Sequence, residues 1–166
     1  TPSISGVLSL SRGSIELNGA VLDFSSLNTT PSLAIDLSTS IESDRISDLT
    51  GNFNINPSGT AYNLGYSGSL QQMYLVGREF TYGPLANLTI STQDALNVPS
   101  VFGVLLSESV TLVGELSVLP GARLRLDGSS LMLPLSQASH RIDGDIVGSG
   151  TVSILGASSL NSASTS

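Results

Sequence analysis

The stretch Gly114-ELSVLP-Gly121-ARLRLD-Gly128-SSLML, ending at Leu133, decides how this chain folds. Its apolar residues come in pairs two apart (Leu116 and Val118, Leu124 and Leu126, Leu131 and Leu133), the period of a strand with one buried face. Glycines 114, 121 and 128 punctuate the pairs where the chain must turn. A related pattern stands near the start, Gly6-VLSLSR-Gly13-SIELN-Gly19-AVLDF. With one residue inserted, Leu8, Leu17, Leu22 and Phe24 align with Leu116, Leu126, Leu131 and Leu133. Downstream, Arg45-IS-Asp48-LTGNFNI matches Arg141-IDG-Asp145-IVGSGTVSI, and a fainter copy runs Gly77-REFTY-Gly83-PLANLTI. Two blocks matching in the same order predict an internal repeat, residues 6–55 against 114–154, inside one β-rich domain spanning 1–156. Residues 157–166, rich in Ser, read as a flexible tail.

A unit of short strand, tight turn and short strand cannot bury its own apolar face. Stacking such units along an axis lays each inward Leu, Ile or Val on its neighbour and makes one continuous core. The rest of the chain fits. Leu33-Ala34-Ile35-Asp36-Leu37, Phe80-Thr81-Tyr82, Leu88-Thr89-Ile90 and Val152-Ser153-Ile154 also alternate. Helical periodicity is weak, and its best stretch, Ser40 to Leu49, amounts to one or two turns. The fold class expected is all-β, a β-solenoid-like stack of short strands. A β-sandwich or jelly roll with Greek-key connections is the alternative, favoured by the uneven spacing of the units.

Gly114-ELSVLPGARLRLDG and Ile142-DGDIVGSGTVSILG resemble the right-handed β-helix repeats of bacterial surface adhesins, autotransporter passengers and phage or viral spikes. The resemblance spans about half the chain. It implies an elongated scaffold exposed on a cell or virion surface.

Composition narrows the function. The 166 residues include no Cys and no Trp, and all six basic residues are Arg. Charged residues are 11% of the chain, against about 25% in an average domain, so Ser, Thr, Gly and Asn supply the polar surface. The net charge of −7 leaves no basic stripe for phosphates, which argues against nucleic-acid binding. No apolar run approaches the ~18 residues of a membrane helix, so membrane insertion is not expected. The chain opens at Thr1 rather than on Met, the expected mark of a processed, exported protein.

Catalytic constellations are missing from the sequence. Gly65-Tyr66-Ser67-Gly68-Ser69 lacks the final glycine of a nucleophile elbow. His140 is the single imidazole and reads as an exposed loop residue. Glu42, Asp44 and Asp48, and Asp143 with Asp145, are the acidic groupings. Neither has calcium-loop spacing, although Asp143 and Asp145 would share one face of a strand beside Arg141. No cofactor and no metal are expected, and the chain is read as a non-enzyme. A polysaccharide-degrading enzyme on a β-helix is the least favoured alternative.

Three further features carry expectations. All four tyrosines (Tyr62, Tyr66, Tyr74 and Tyr82) fall between Gly59 and Tyr82. They are either core-edge residues of strands or a ligand platform for glycans, since tyrosine is enriched at recognition surfaces. Asn28-Thr29-Thr30 and Asn87-Leu88-Thr89 are sequons, while Asn56-Pro57-Ser58 is blocked by its proline. Finally, sheet edges expose unpaired backbone groups, so homo-oligomer or filament formation is expected. The expected pairing edges are the N-terminal segment with Ile4, Val7, Leu8 and Leu10, and the last strand with Val152 and Ile154. Taken together, these features predict a structural or adhesive subunit of an extracellular fibre, spike or coat, with a carbohydrate-binding module as the alternative.

Overall fold

The structure, a computed structural model, describes residues 7–10, 21–22, 30–38, 54–76, 78–97, 102–106, 108–134 and 139–155. It is a β-solenoid with about three turns that each place a strand in all three of its long sheets. The strands in chain order are β1 (Val7–Leu10), β2 (Val21–Leu22), β3 (Ser32–Asp36), β4 (Asn54–Ile55), β5 (Tyr62–Leu70), β6 (Met73–Leu75), β7 (Leu85–Asp94) and β8 (Gly103–Leu105). There follow β9 (Val110–Thr111), β10 (Leu116–Val118), β11 (Arg123–Arg125), β12 (Ser130–Pro134), β13 (Arg141–Ile142), β14 (Asp145–Val147) and β15 (Thr151–Leu155). One short 3-10 turn, Arg78–Phe80, separates β6 from β7.

Every strand pair among the described residues is parallel. That rules out the sandwich alternative, whose hairpins and Greek keys require antiparallel pairs. Three sheets run along the coil: β1-β3-β5-β7-β10-β13, then β6-β8-β11-β14, then β9-β12-β15. Each later turn places one strand in each sheet, as β7, β8 and β9 do, then β10, β11 and β12, then β13, β14 and β15. Strands β2 and β4 pair in the same parallel manner.

The register shows why alternation settles the fold. Leu8, Leu33, Leu64, Leu88 and Leu116 are successive Cα partners, and so are Leu10, Ile35, Tyr66, Ile90, Val118 and Ile142. Leu8 and Leu116 thus share one column of the sheet, while Leu17 and Phe24 of the same alignment lie outside the described residues. Leu64, Leu88, Leu116 and Val118 are at most 1% exposed. Burying each such side chain contributes roughly 1.5–3 kcal/mol, and like stacks on like because turns lie about 4.8 Å apart. At the corners, Gly121 (φ 80°) and Gly128 (φ 81°) take a conformation that a Cβ would penalise.

Some sequence expectations shift. Phe80-Thr81-Tyr82 is not a strand but the end of the 3-10 turn and the bend after it, because Glu79 is drawn inside the coil at 0% exposure. Asp143 and Asp145 do not share a strand either, since they flank the corner at Gly144 between β13 and β14. Asp143 pairs with Arg141, and Asp145 with Arg123 at 2.7 Å. Most of the 6–55 repeat, the Ser40–Leu49 segment, the Glu42, Asp44 and Asp48 group, and the 157–166 tail lie outside the described residues.

Candidate functional site: an open coil end and a buried tyrosine cluster

Among the described residues the three long sheets finish together. Strands β13, β14 and β15 are each the last in their sheet. In the turn beneath, Val118, Leu124, Leu131 and Leu133 are 0% exposed. Their register partners in the last turn, Ile142, Ile146, Val152 and Ile154, rest on the core yet are only half-buried. Leu155 beside them is 50% exposed. The core thus has a layered aliphatic end that no further described layer covers.

The backbone of this end is also unpaired in part. The Thr151 N–H donates to the Ser129 carbonyl at 3.1 Å, so Thr151 faces β12. By strand alternation Ser153 and Leu155 face the same way, and the N–H and C=O groups of Val152 and Ile154 point away from β12. These two residues are among the expected pairing edges, and they sit at an edge. Val7, Leu8 and Leu10 lie on β1, at the opposite end of the six-stranded sheet. Ile4 lies outside the described residues.

The four tyrosines behave differently from a platform. Tyr62 and Tyr66 are 0% exposed and Tyr74 is 4% exposed, so these three turn their rings into the coil. The outward face for glycans that the sequence suggested does not form from them. The physical reason is period two: Tyr62, Leu64 and Tyr66 alternate on β5 with the outward Asn63 and Gly65, so the tyrosines share the core face. Tyr82 is half-buried and packs against the core.

Inside, the phenols converge on Glu79. Its Oε1 accepts from the Tyr66 hydroxyl at 2.7 Å and from the Tyr74 hydroxyl at 3.1 Å. The Tyr62 hydroxyl donates to the Glu79 backbone carbonyl. Tyr66 packs on Tyr74 with ring centroids 5.6 Å apart and stacks on Phe80 at 6.4 Å. Glu79 Oε2 is buried and has no hydrogen-bond partner among the described residues. Burial pushes the Tyr66 and Tyr62 phenols well above the ordinary tyrosine range, and the nearby Glu79 carboxylate adds to both shifts. The turn holding this cluster has strands in only two sheets. Where later turns supply a third strand, it supplies the 3-10 turn.

The outside of the six-stranded sheet carries a side-chain ladder. Asn63 Nδ2 donates to Ser32 Oγ at 3.1 Å, and Asn87 Nδ2 donates to Asn63 Oδ1 at 2.8 Å. Asn87 Oδ1 then accepts the Glu115 N–H at 2.6 Å. A β-bulge places Ala86 and Asn87 opposite Asn63, and the Asn87 side chain supplies the acceptor there. The sequon at Asn87 is therefore occupied differently from expectation: the amide that glycosylation needs is half-buried and tied into the ladder. Asn28 lies outside the described residues. Asn56, read only as a blocked sequon, braces a loop by donating through Nδ2 to the Thr60 and Tyr82 carbonyls, each at 2.8 Å.

His140 is not an idle surface group. Its Nδ1 accepts the Leu116 N–H at 3.1 Å and its Nε2 lies 3.1 Å from the Pro134 carbonyl. Since an N–H only donates and a carbonyl only accepts, this geometry selects the neutral tautomer protonated on Nε2. The imidazole clips one turn to the next. No group of three or more metal-ligating side chains occurs among the described residues.

Comparison with protein families, with curated proteins and with solved structures returns no match.

Proposed function

We propose that the chain is a structural and adhesive module of an extracellular fibre, spike or coat, without enzymatic activity, and that it self-assembles through the edge of its last turn. The observation that carries this reading is the simultaneous ending of three sheets on half-buried Ile142, Ile146, Val152 and Ile154. An aliphatic layer rimmed by outward backbone groups accepts another strand layer more readily than any compact ligand. Because all described strand pairs are parallel, a second copy meeting this end with its β1 edge continues the same pairing. Such a head-to-tail contact is heterologous, and it propagates a filament unless the rotation closes a ring. The sparsely charged, hydroxyl-rich composition fits exposure on a cell or virion surface.

Light scattering across a concentration series, with negative-stain imaging of the same samples, tests the reading. Oligomers or fibres growing with concentration are expected for the chain as it stands. Ile154→Pro removes an outward N–H without removing a ladder donor to β12, and proline is tolerated on edge strands in that orientation. It should remain monomeric. A compact monomer of the unaltered chain at every concentration would sink self-assembly as the role.

A further inference from the structure

We propose that the outer face of the six-stranded sheet is a binding trough for a neutral glycan chain. The trough is open and shallow, with a volume of about 340 Å³, and crosses β3, β5, β7 and β10. One wall is the ladder of Ser32, Asn63, Asn87 and Glu115. The floor is the adjacent outward row, Ala34, Gly65, Thr89 and Ser117, which are successive register partners. Four strands at a spacing of roughly 4.8 Å make the floor about 14 Å long, running along the coil axis.

Gly65 is the informative position. It lies inside the nine-residue strand β5, where glycine weakens a sheet, and its φ is not positive. A Cβ built there would meet nothing within 4 Å. Neither the backbone conformation nor crowding within the fold therefore calls for glycine. Its effect, with Ala34 beside it, is to leave the middle of the trough open. A glycine in mid-strand lets a ligand approach the backbone closely.

The lining says what kind of chain. The Thr89 and Ser117 hydroxyls have no hydrogen-bond partner among the described residues. Asn63 and Asn87 each spend one amide hydrogen on the ladder and keep a second. Glu115 Oε1 accepts from the Ser139 N–H at 3.2 Å, which leaves Oε2 open. Hydroxyls and amides that both donate and accept match a ligand whose own groups do both, which is the chemistry of sugar hydroxyls. A peptide would find neither a sheet edge nor apolar pockets on this floor. An acidic polymer would meet the Glu115 carboxylate and a chain of net charge −7. The trough lies along the side of the coil and the assembling layer at its end, so the two proposals stand or fall separately.

The test is isothermal titration of the full chain with hexasaccharides of β-1,4-glucan, β-1,4-mannan, β-1,4-xylan and α-1,4-glucan, and with hexagalacturonate as the acidic arm. At least one neutral hexasaccharide should bind with Kd of about 1 mM or tighter. Gly65→Trp should weaken it by about tenfold or more while the far-UV spectrum and the scattering mass stay unchanged. Should that variant fail to fold, Thr89→Arg fills the same floor from an already outward position. Silence across the neutral panel, equal binding by the trough variants, or preference for hexagalacturonate overturns the proposal.

Discussion

Between Tyr62 and Phe80 the coil interior sets three phenols around one carboxyl group among its aliphatic side chains, whereas from Leu116 to Leu133 it is almost wholly aliphatic, with Ser129 its one buried polar residue. Tyr66 and Val118 belong to the same register column, so the sheet geometry is the same in both places. The neighbouring elements differ. Later turns close their interior with a third strand, and Leu116, Val118, Leu124 and Leu131 lie on Leu88, Ile90, Val104 and Val110 of the turn below. The turn from Tyr62 has the Arg78–Phe80 segment instead, and long rings reach across the interior to it. Where stacking is complete, non-directional burial suffices. Where a layer is missing, buried polar groups must find one another, and the interior becomes sensitive to single atoms.

The largest effect should come from deleting the hub of the polar interior. Glu79→Ala removes the acceptor shared by two buried phenols, and an unsatisfied buried group costs about 1–3 kcal/mol, so a loss of roughly 4 kcal/mol is expected by urea denaturation. Glu79→Gln keeps an oxygen at Oε1 and should lose far less. Equal losses for both variants would mean that the carboxylate itself, not an acceptor of the right volume, holds this layer. In the aliphatic interior, Leu88→Ala should cost about 3 kcal/mol through its cavity.

Gly68→Ala probes the boundary of the polar turn. At φ 95° the added Cβ would be strained and would fall on Asp36 and Ser38, which are joined by the Ser38 N–H donating to Asp36 Oδ1. A loss of about 2–3 kcal/mol is expected, with β3 and β5 losing amide protection first.

Alkaline titration separates the two interiors without mutation. The folded pKa values of Tyr62 and Tyr66 are raised above the unfolded value of about 10. The unfolded chain releases these protons first, so their contribution is fully present below pH 10 and is lost as pH rises toward the folded values. Stability should be level from about pH 7 to 9.5 and then fall by about 1.4 kcal/mol per pH unit for each tyrosine. Tyr66→Phe should flatten that slope. An unchanged slope would show that the phenols titrate while still folded. The smallest effect belongs to the open end: Ile154→Ala should cost about 1 kcal/mol or less, because its side chain is only half-buried.

Much of this architecture was legible in the residues. Alternation with glycine punctuation led to short strands, and the two matching blocks led to stacking, with Leu8 and Leu116 in one column. The strand at Val152 and Ile154 was legible in the alternation Val152-Ser153-Ile154. The tyrosines were harder. Their period-two placement with Leu64 marked a core face, but their polar tips suggested a recognition surface equally well. The Asn63–Asn87 ladder, the His140 clip and the trough over Gly65 had no local signal, since each joins residues from different turns.

What the sequence determined by itself was the period of burial, because a two-residue repeat of leucine and valine can be satisfied only by strands with one common inner face. What only the tertiary structure decided was which residues lie above one another. Contacts between turns depend on the length of each intervening loop, and that length varies along this chain. The same winding sets Glu79 among three phenols, places Asn63 against Asn87, and leaves the last aliphatic layer half-covered.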